Sequence, residues 1–479
     1  MKKEKFSMAY KWIVVMVVAT GTIMTTMDVG IIRIALPHLS DVFQVDPNTI
    51  LWLTLVYLLI GTGLMLSFGQ IGDTFGRKKL YTAGLIIFSV GLGLSALAQN
   101  FTQLMIFRVF QSVGAAMILA NGNAIITASF PAEERGKALG VIGAVVGTGL
   151  LAGPALGGIL IDIFDWRAIF YLRLPIGIIG AIMAWILIKE TPVPKNSIKF
   201  DFIGAVTIFI TMACLLLFVN QGQSLGWTSP FVIILGLVCV ISFIIFIFVE
   251  KRVSRPVVDL TLFRIRLLRV ASASHIINFI GSASSNFLLP FFLIQGLNLS
   301  SSKSGLILVT IPAVFIIIAP LAGRLSDKIG TRFLCTFGLT LTSFGVFLLM
   351  GMGDDVSTIN IIWRLFILGI GMALFDSPNS SAIMGSVPLE RLGTASAMVA
   401  TLRQVGMSVG TAVAGTIFTA SSLSYADQLN SQGLAGEVVK MLSTVHGFHS
   451  AVIATLIFPI MAAVISIFRD SKTKQGVLD

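Results

Sequence analysis

Two stretches, "GQIGDTFGRKK" (69–79) and "GRLSDKIGTR" (323–332), decide how this chain folds. Each closes a long apolar run, carries one aspartate, and ends in cations. Asp73 and Asp327 lie 254 residues apart. Working outward, "FRVFQSVG" (107–114) pairs with "WRLFILGIG" (363–371), and Arg108 to Arg364 is 256 residues. "PAEERG" (131–136) pairs with "PLERLG" (388–393), and Gly136 to Gly393 is 257. Three pairs in the same order, at one offset to within three residues, describe an internal duplication of the chain.

The repeats are set in apolar sequence. Of 479 residues 56% are hydrophobic and 11% charged, against about 25% charged in soluble domains; mean hydropathy is +0.94. Apolar runs of about 20 residues recur throughout, each able to cross about 30 Å of hydrocarbon as a helix. This excludes a soluble fold with one core. Fourteen spans are predicted, at 11–38, 47–69, 80–98, 102–128, 136–162, 167–188, 201–220, 229–250, 267–296, 304–323, 332–351, 358–386, 394–418 and 447–468. Pro37, Pro154, Pro290 and Pro312 are expected kink or end positions. The basic N-terminus leads into an apolar run too long for a signal-peptide core, so it reads as an uncleaved first helix.

Lys and Arg orient the spans. With the N-terminus inside, 25 of the 33 fall in inner segments, three in outer ones (Arg167, Lys303, Lys440) and five within spans (Arg33, Arg108, Arg173, Arg364, Arg403). That bias is a positive-inside signal, and an even helix number places both termini in the cytoplasm. The net charge of +11 is then a belt beside anionic lipid rather than a nucleic-acid surface. The predicted fold is an all-α membrane protein. It has a six-helix bundle over 1–190, two inserted helices with linkers over 191–265, and a second bundle over 266–479 with a long outer loop at 419–446. That loop reads as a candidate short hairpin or helix over the outer mouth.

With these motifs in hand, the chain resembles the major facilitator superfamily, and within it the fourteen-helix drug:proton antiporters of the QacA/EmrB type. "GQIGDTFGRKKL" matches the loop motif G-x-L-a-D-r-x-G-r-K. "GVIGAVVGTGLLAGPALGG" (140–158) matches the fifth-helix antiporter motif at Gly140, Gly149, Gly153, Pro154, Gly157 and Gly158. "RVFQSVGAA" (108–116), "DVGIIRIALP" and "WRAIFYLRLPIG" match the fourth-, first- and sixth-helix signatures. The resemblance implies gating roles for Gly69, Asp73, Gly76 and Arg77, with Asp73 and Arg77 latching the halves in an outward-facing state. It implies a seal or hinge at Gly149, Gly153, Pro154, Gly157 and Gly158. The simpler reading of those glycines is close helix packing. Lys78 and Lys79 read as topology signals alone.

Charges in the membrane are costly, about 2.5–3.5 kcal/mol on insertion scales, so each should face a cavity or a partner. Asp28 lies in mid-span and Arg33 nearer the outer end of the same helix. Five residues turn them about 140° apart, so they are poor partners. Arg108 and Arg173 fall at similar depth on other helices. The resembled subgroup usually has Asn at the positions of Arg33 and Arg173. Two added cations point to an anionic group in the cleft; snorkelling or pairing with Asp28 is the alternative. In the second half Asp376 and Arg403 read either as an ion pair or as a protonation site with a nearby cation. His275 reads as a polar or titratable lining residue.

The expected function is a proton-coupled exporter of amphipathic small molecules in the cell's inner membrane, working by alternating access. Asp28 and Asp376 are the proposed proton carriers, and Arg33, Arg108, Arg173, His275 and Arg403 the substrate contacts. A lipid translocase of the same fold and a non-transporting sensor are the rivals. No Walker sequence or clustered catalytic set appears, so neither ATP, a cofactor, a metal nor an enzyme activity is expected. Cys214, Cys239 and Cys335 fall in apolar runs and read as core residues. The expected partners are substrate, protons and membrane lipid, with no nucleic acid, around a monomer.

Overall fold

The computed structural model describes residues 8–469 except 46, 51, 191–199, 254–255, 354–355, 433 and 435. The basic N-terminal tail and residues 470–479, which carry part of the orientation signal, lie outside the described residues. So do the 191–199 linker and the side chain of Arg33.

Among the described residues every regular element is a helix. Its long elements are α1 (Met8–Phe43), α2 (Trp52–Phe75), α3 (Arg77–Ala96), α4 (Phe101–Ser129), α5 (Arg135–Ile163), α6 (Arg173–Leu187), α7 (Phe202–Leu225) and α8 (Pro230–Glu250). They continue with α9 (Arg266–Phe291), α10 (Thr310–Ile329), α11 (Thr331–Leu349), α12 (Thr358–Gly385), α13 (Leu392–Ser431) and α14 (Gly436–Thr455, resumed at Ile457–Ile467). Among the described residues thirteen helices are long and apolar enough to cross a membrane. Helix α13 has the length, at 40 residues, but Arg403, Gln404 and many Ser and Thr residues lower its hydropathy. Its first half is buried against other helices, so it has less need of an apolar coat.

The repeat is visible in the backbone. Gly76 (φ 111°) breaks α2 from α3, and Gly330 (φ 85°) breaks α10 from α11. Both angles suit glycine, because an L side chain is strained there. The two glycines are 254 residues apart. We call the end of the bundle that holds them the near end. Other boundaries follow local chemistry. Asn100 Oδ1 accepts from the Gln103 amide at the start of α4, Asp201 caps α7 in the same way, and Pro230 opens α8. Pro154 and Pro290 lie inside helices, and a π-helical turn over Phe292–Gly296 follows the latter.

Helices α1–α6 enclose one core, including Val14, Leu85, Phe88, Leu104 and Trp166. Helices α9–α14 enclose another, including Leu288, Phe292, Val346, Leu365 and Phe448. The halves meet along two related seams, α2 on α13 and α5 on α10. The inserted pair is lipid-like on its outside: α8 has the highest hydropathy of any span, 3.4, and only 22% of it is buried. Helix α7 packs on both α2 and α13. A Cβ on Gly63 of α2 would come within 2.6 Å of the Phe209 ring, so only glycine admits that ring. The inserted pair therefore covers one inter-half seam.

One boundary is corrected. The predicted span end at 418 gives way to a helix that runs on: of the outer segment 419–446, read as a long loop with a candidate short hairpin or helix, the described residues are helical outside a short turn, with α13 reaching Ser431 and α14 beginning at Gly436. Many of the polar residues that suggested a loop are exposed on these helix turns. Forty residues span about 60 Å at 1.5 Å each, twice the hydrocarbon thickness.

Candidate functional site

Asp28 is fully buried in α1 and both of its oxygens are engaged. Arg108 Nη1 of α4 donates to Oδ2 at 2.8 Å, Gln111 Nε2 to Oδ1 at 3.0 Å, and Arg173 Nη1 of α6 also to Oδ1. Arg108 Nη1 reaches Gln111 Oε1 as well, at 2.8 Å, and its guanidinium carbon stands 4.3 Å from the Tyr57 ring centre. Arg173 Nε donates to the Ile169 carbonyl at 3.0 Å. Two guanidiniums thus face one carboxylate with no water access: Arg108 is 1% exposed and Arg173 0%. Arg108 Nε and Arg173 Nη2 are buried without hydrogen-bond partners. The cluster holds one positive charge more than Asp28 balances, and two N–H groups have nothing to bond.

The glycine motif of α5 supports this cluster from behind. A Cβ on Gly153 would meet the Met27 carbonyl oxygen at 2.7 Å and the Ile31 nitrogen at 3.2 Å; one on Gly157 would meet the Ile31 side chain at 2.7 Å. Gly149 packs on Thr26, and Pro154 lies against Gly30. The motif therefore clamps the turns of α1 that carry Asp28. Gly158 faces open space, with nothing within 4 Å. Two alanine substitutions should separate these environments. Gly158→Ala is expected to be neutral or to stabilise, by up to about 1 kcal/mol of helix propensity. Gly153→Ala should destabilise by about 1–3 kcal/mol through overpacking. Thermal midpoints in detergent check this; equal midpoints would remove the clamp.

Nearer the near end, other glycines of α5 face the opposite half. A Cβ on Gly140 would meet the Ala319 carbonyl at 2.6 Å, and one on Gly147 the Pro312 carbonyl at 3.0 Å. One helix thus uses small residues on two faces, one toward α1 and one toward α10.

At the near end both repeat aspartates cap a helix of the other half. Asp73 Oδ1 accepts from the Gly393 amide at 2.7 Å, and Oδ2 from the Thr394 amide at 2.9 Å and its hydroxyl at 3.2 Å. Asp327 accepts from the amides of Gly136 and Lys137, both at 2.9 Å. In each case the amides are the second and third of their helix, which have no intrahelical acceptor and sit at the positive end of the helix dipole. Arg77 Nε and Nη2 donate to Asp73 Oδ1 at 2.9 and 2.7 Å, and Nη2 also reaches the Leu389 carbonyl. Glycine is needed on both sides of each seam. A Cβ on Gly69 would lie 2.7 Å from the Gly393 carbonyl, and one on Gly136 2.5 Å from the Gly323 carbonyl.

The second half has its own buried polar group. His275 Nδ1 lies 3.1 Å from Asn379 Nδ2 and Nε2 lies 3.2 Å from the Val399 carbonyl. The amide donates to Nδ1, so the ring proton sits on Nε2. Both nitrogens of this fully buried ring are engaged, leaving none for a ligand in this state. Asn379 Oδ1 accepts from Arg469, which also donates to Ser274 at 3.3 Å and lies 2.8 Å from Cys335 Sγ. Asp376 Oδ1 is buried with no hydrogen-bond partner. No ion pair to Arg403 is found among the described contacts; that guanidinium turns toward the Phe279 ring, 5.8 Å away.

The sequence missed several of these residues. Asp327 was visible only as the image of Asp73. Gln111 and Tyr57 carried no signal of their own. Arg469 was counted with the cytoplasmic tail, yet it is 1% exposed.

Comparison with known proteins agrees with this architecture. A family model described as Major Facilitator Superfamily matches residues 18–223, 202–411 and 273–478. "Riboflavin transporter RibZ" of Clostridioides difficile is 34% identical over 88% of this chain and 91% of its own length. "Multidrug resistance protein Stp" of Mycobacterium tuberculosis is 30% identical over 84% of this chain and 74% of its own. Among solved structures, the human organic anion transporter MFSD10 (TETRAN) superposes with a TM-score of 0.66, covering 95% of this chain and 99% of that one at 15% identity.

Proposed function

The chain belongs to the Major Facilitator Superfamily, and from that membership we propose that it exports amphipathic organic anions across the cell membrane in exchange for protons. In this reading it is a fourteen-span protein of the drug:proton antiporter type, active as a monomer, with the near end and both termini in the cytoplasm. The relatives named for riboflavin transport and multidrug resistance support an organic small-molecule cargo.

One observation carries the substrate class. The buried N–H groups at Arg108 Nε and Arg173 Nη2 have no acceptor, and an unmade buried hydrogen bond costs about 1–3 kcal/mol. An anionic group would satisfy them and balance the extra charge. Asp28 acts as the internal stand-in that occupies the arginines when no substrate does. Closing the near end through Asp73 and Asp327 leaves the cleft to the outside; opening both seams exposes it to the cytoplasm.

Of the two candidate proton carriers, geometry favours Asp376. Asp28 already accepts from three side chains, whereas Asp376 Oδ1 accepts from none. The test uses proteoliposomes. Outward substrate movement should drive protons inward, and Asp376→Asn should abolish proton-driven accumulation while leaving substrate–substrate counterflow. Protons moving in the same direction as substrate would overturn exchange. Coupling would then belong to Asp28, which is freed to take a proton whenever an anion claims its arginines.

A further inference from the structure

A groove on the lipid-facing side of α3 and α6 is not used by the transport cycle described above. Its walls include Ile86, Val90, Gly93, Leu174, Ile182 and Trp185, and it offers about 430 Å³, a volume within the usual range of small-molecule sites. Ile182 is 53% exposed and Trp185 63%, so the groove opens outward, away from the cleft. On α3 it runs from Thr82 to Gly93. Eleven residues at 1.5 Å make about 16 Å, roughly half of a 30 Å hydrocarbon core. It begins five residues from Arg77, the first residue of α3, so it spans the leaflet at the near end.

The mouth has a different character. Lys78 Nζ sits 5.5 Å from the Trp185 ring centre, at the end of the groove. Lys79 and Lys189 are exposed nearby, against one acidic neighbour, Glu190, whose Oε1 accepts from the Lys78 amide at 3.3 Å. One helical turn beyond Lys78, Thr82 lines the groove. Thr82 is 4% exposed and its hydroxyl oxygen has no hydrogen-bond partner. Positions i and i+4 share a helix face. A cation, then a free hydroxyl, then an apolar channel one leaflet deep follow the order of phosphate, ester carbonyl and acyl chain in a glycerophospholipid.

We infer that this groove is a binding site for one acidic glycerophospholipid of the near-end leaflet. Its phosphate pairs with Lys78, an ester carbonyl accepts from Thr82, and an acyl chain lies along Ile86, Val90 and Gly93. Lys78 is contiguous with Gly76 and Arg77, so occupancy bears on the loop that caps α13.

Native mass spectrometry of the detergent-solubilised full chain tests this, with added phosphatidylglycerol or phosphatidylcholine of matched acyl length as probes. One phosphatidylglycerol should be retained about tenfold more tightly than phosphatidylcholine. Lys78→Gln should erase that preference. Gly93→Leu should lower retention of both, by filling the channel. A Cβ at Gly93 meets only the Leu174 methyls, at 3.8 and 3.9 Å, so this variant should fold. Equal retention of the two lipids by the unaltered chain would mean annular lipid only and overturn the site. So would phosphatidylglycerol retention unchanged in both variants, or a free fatty acid as the retained species. None of these readings depends on transport, so failure here leaves the exporter assignment standing, and the reverse.

Discussion

Asp28→Asn is expected to abolish export and to lower the thermal midpoint sharply. The substitution keeps the shape but removes the only carboxylate that, among the described residues, meets Arg108 and Arg173. Deleting one partner of a buried ion pair typically costs about 3–5 kcal/mol, because the other charge is left uncompensated. Here two guanidiniums lose their partner, so the upper end of that range applies. A second substitution separates structure from transport. In Asp28→Asn/Arg173→Asn the cluster regains the formal charge it started with, one positive, now on Arg108 alone. Stability should recover by more than half, while export of anions should not recover at all. If the double variant exports anions normally, the arginine pair is not the substrate contact. If Asp28→Asn alone melts within about one degree of the unaltered chain, no more than about 1 kcal/mol is at stake in a chain of this length and the buried charges have another balance.

That cluster shows how far sequence reaches. Asp28, Arg108 and Arg173 stood out individually, because a charge in an apolar run is expensive wherever it falls. Their convergence was legible only as similar depth on separate helices. Depth follows from counting residues at 1.5 Å each, but the azimuth of each helix depends on its packing. Hence pairing with Asp28 remained one alternative among three, and the partner Gln111 could not be read at all. The latches are the opposite case. Asp73 was readable because a repeat, a following cation and a helix start coincide there. Asp327 follows from the same repeat once it is applied in both directions. Arg469 marks the limit: a cation after an apolar run satisfies orientation rules whether it meets lipid headgroups or, as here, folds back onto Asn379 and Cys335. The span boundary at 418 failed for a related reason. Polar residues end an apolar run, but they do not end a helix.

The double variant Asp73→Ala/Asp327→Ala should open the near end, and each single variant should do so only in part. Each carboxylate accepts two backbone amides at a helix start, and hydrogen bonds to a charged group contribute about 1.5–3 kcal/mol apiece. Allowing for water to replace part of that, each latch contributes about 2–3 kcal/mol to the closed arrangement. The two latches act on separate seams with no shared partner, so their effects should add, to about 4–6 kcal/mol. Moving a two-state equilibrium from 1:99 to 99:1 takes about 5.5 kcal/mol. One lost latch therefore shifts the population, and two invert it. Cysteine alkylation measures this. Ala397 is fully buried against Gly69 on one seam, and Ala319 is 1% exposed against Gly140 on the other. In Ala397→Cys and Ala319→Cys backgrounds, modification from the near end should be slow with both latches intact. It should be about ten- to a hundredfold faster with one removed, and nearly complete with both removed. Reading the modified peptides by mass keeps Cys214, Cys239 and Cys335 from confusing the result. If removing Asp73 exposes only position 397, and removing Asp327 only position 319, the seams open independently. The halves would then not rock as rigid bodies, and alternating access by that motion would have to be given up.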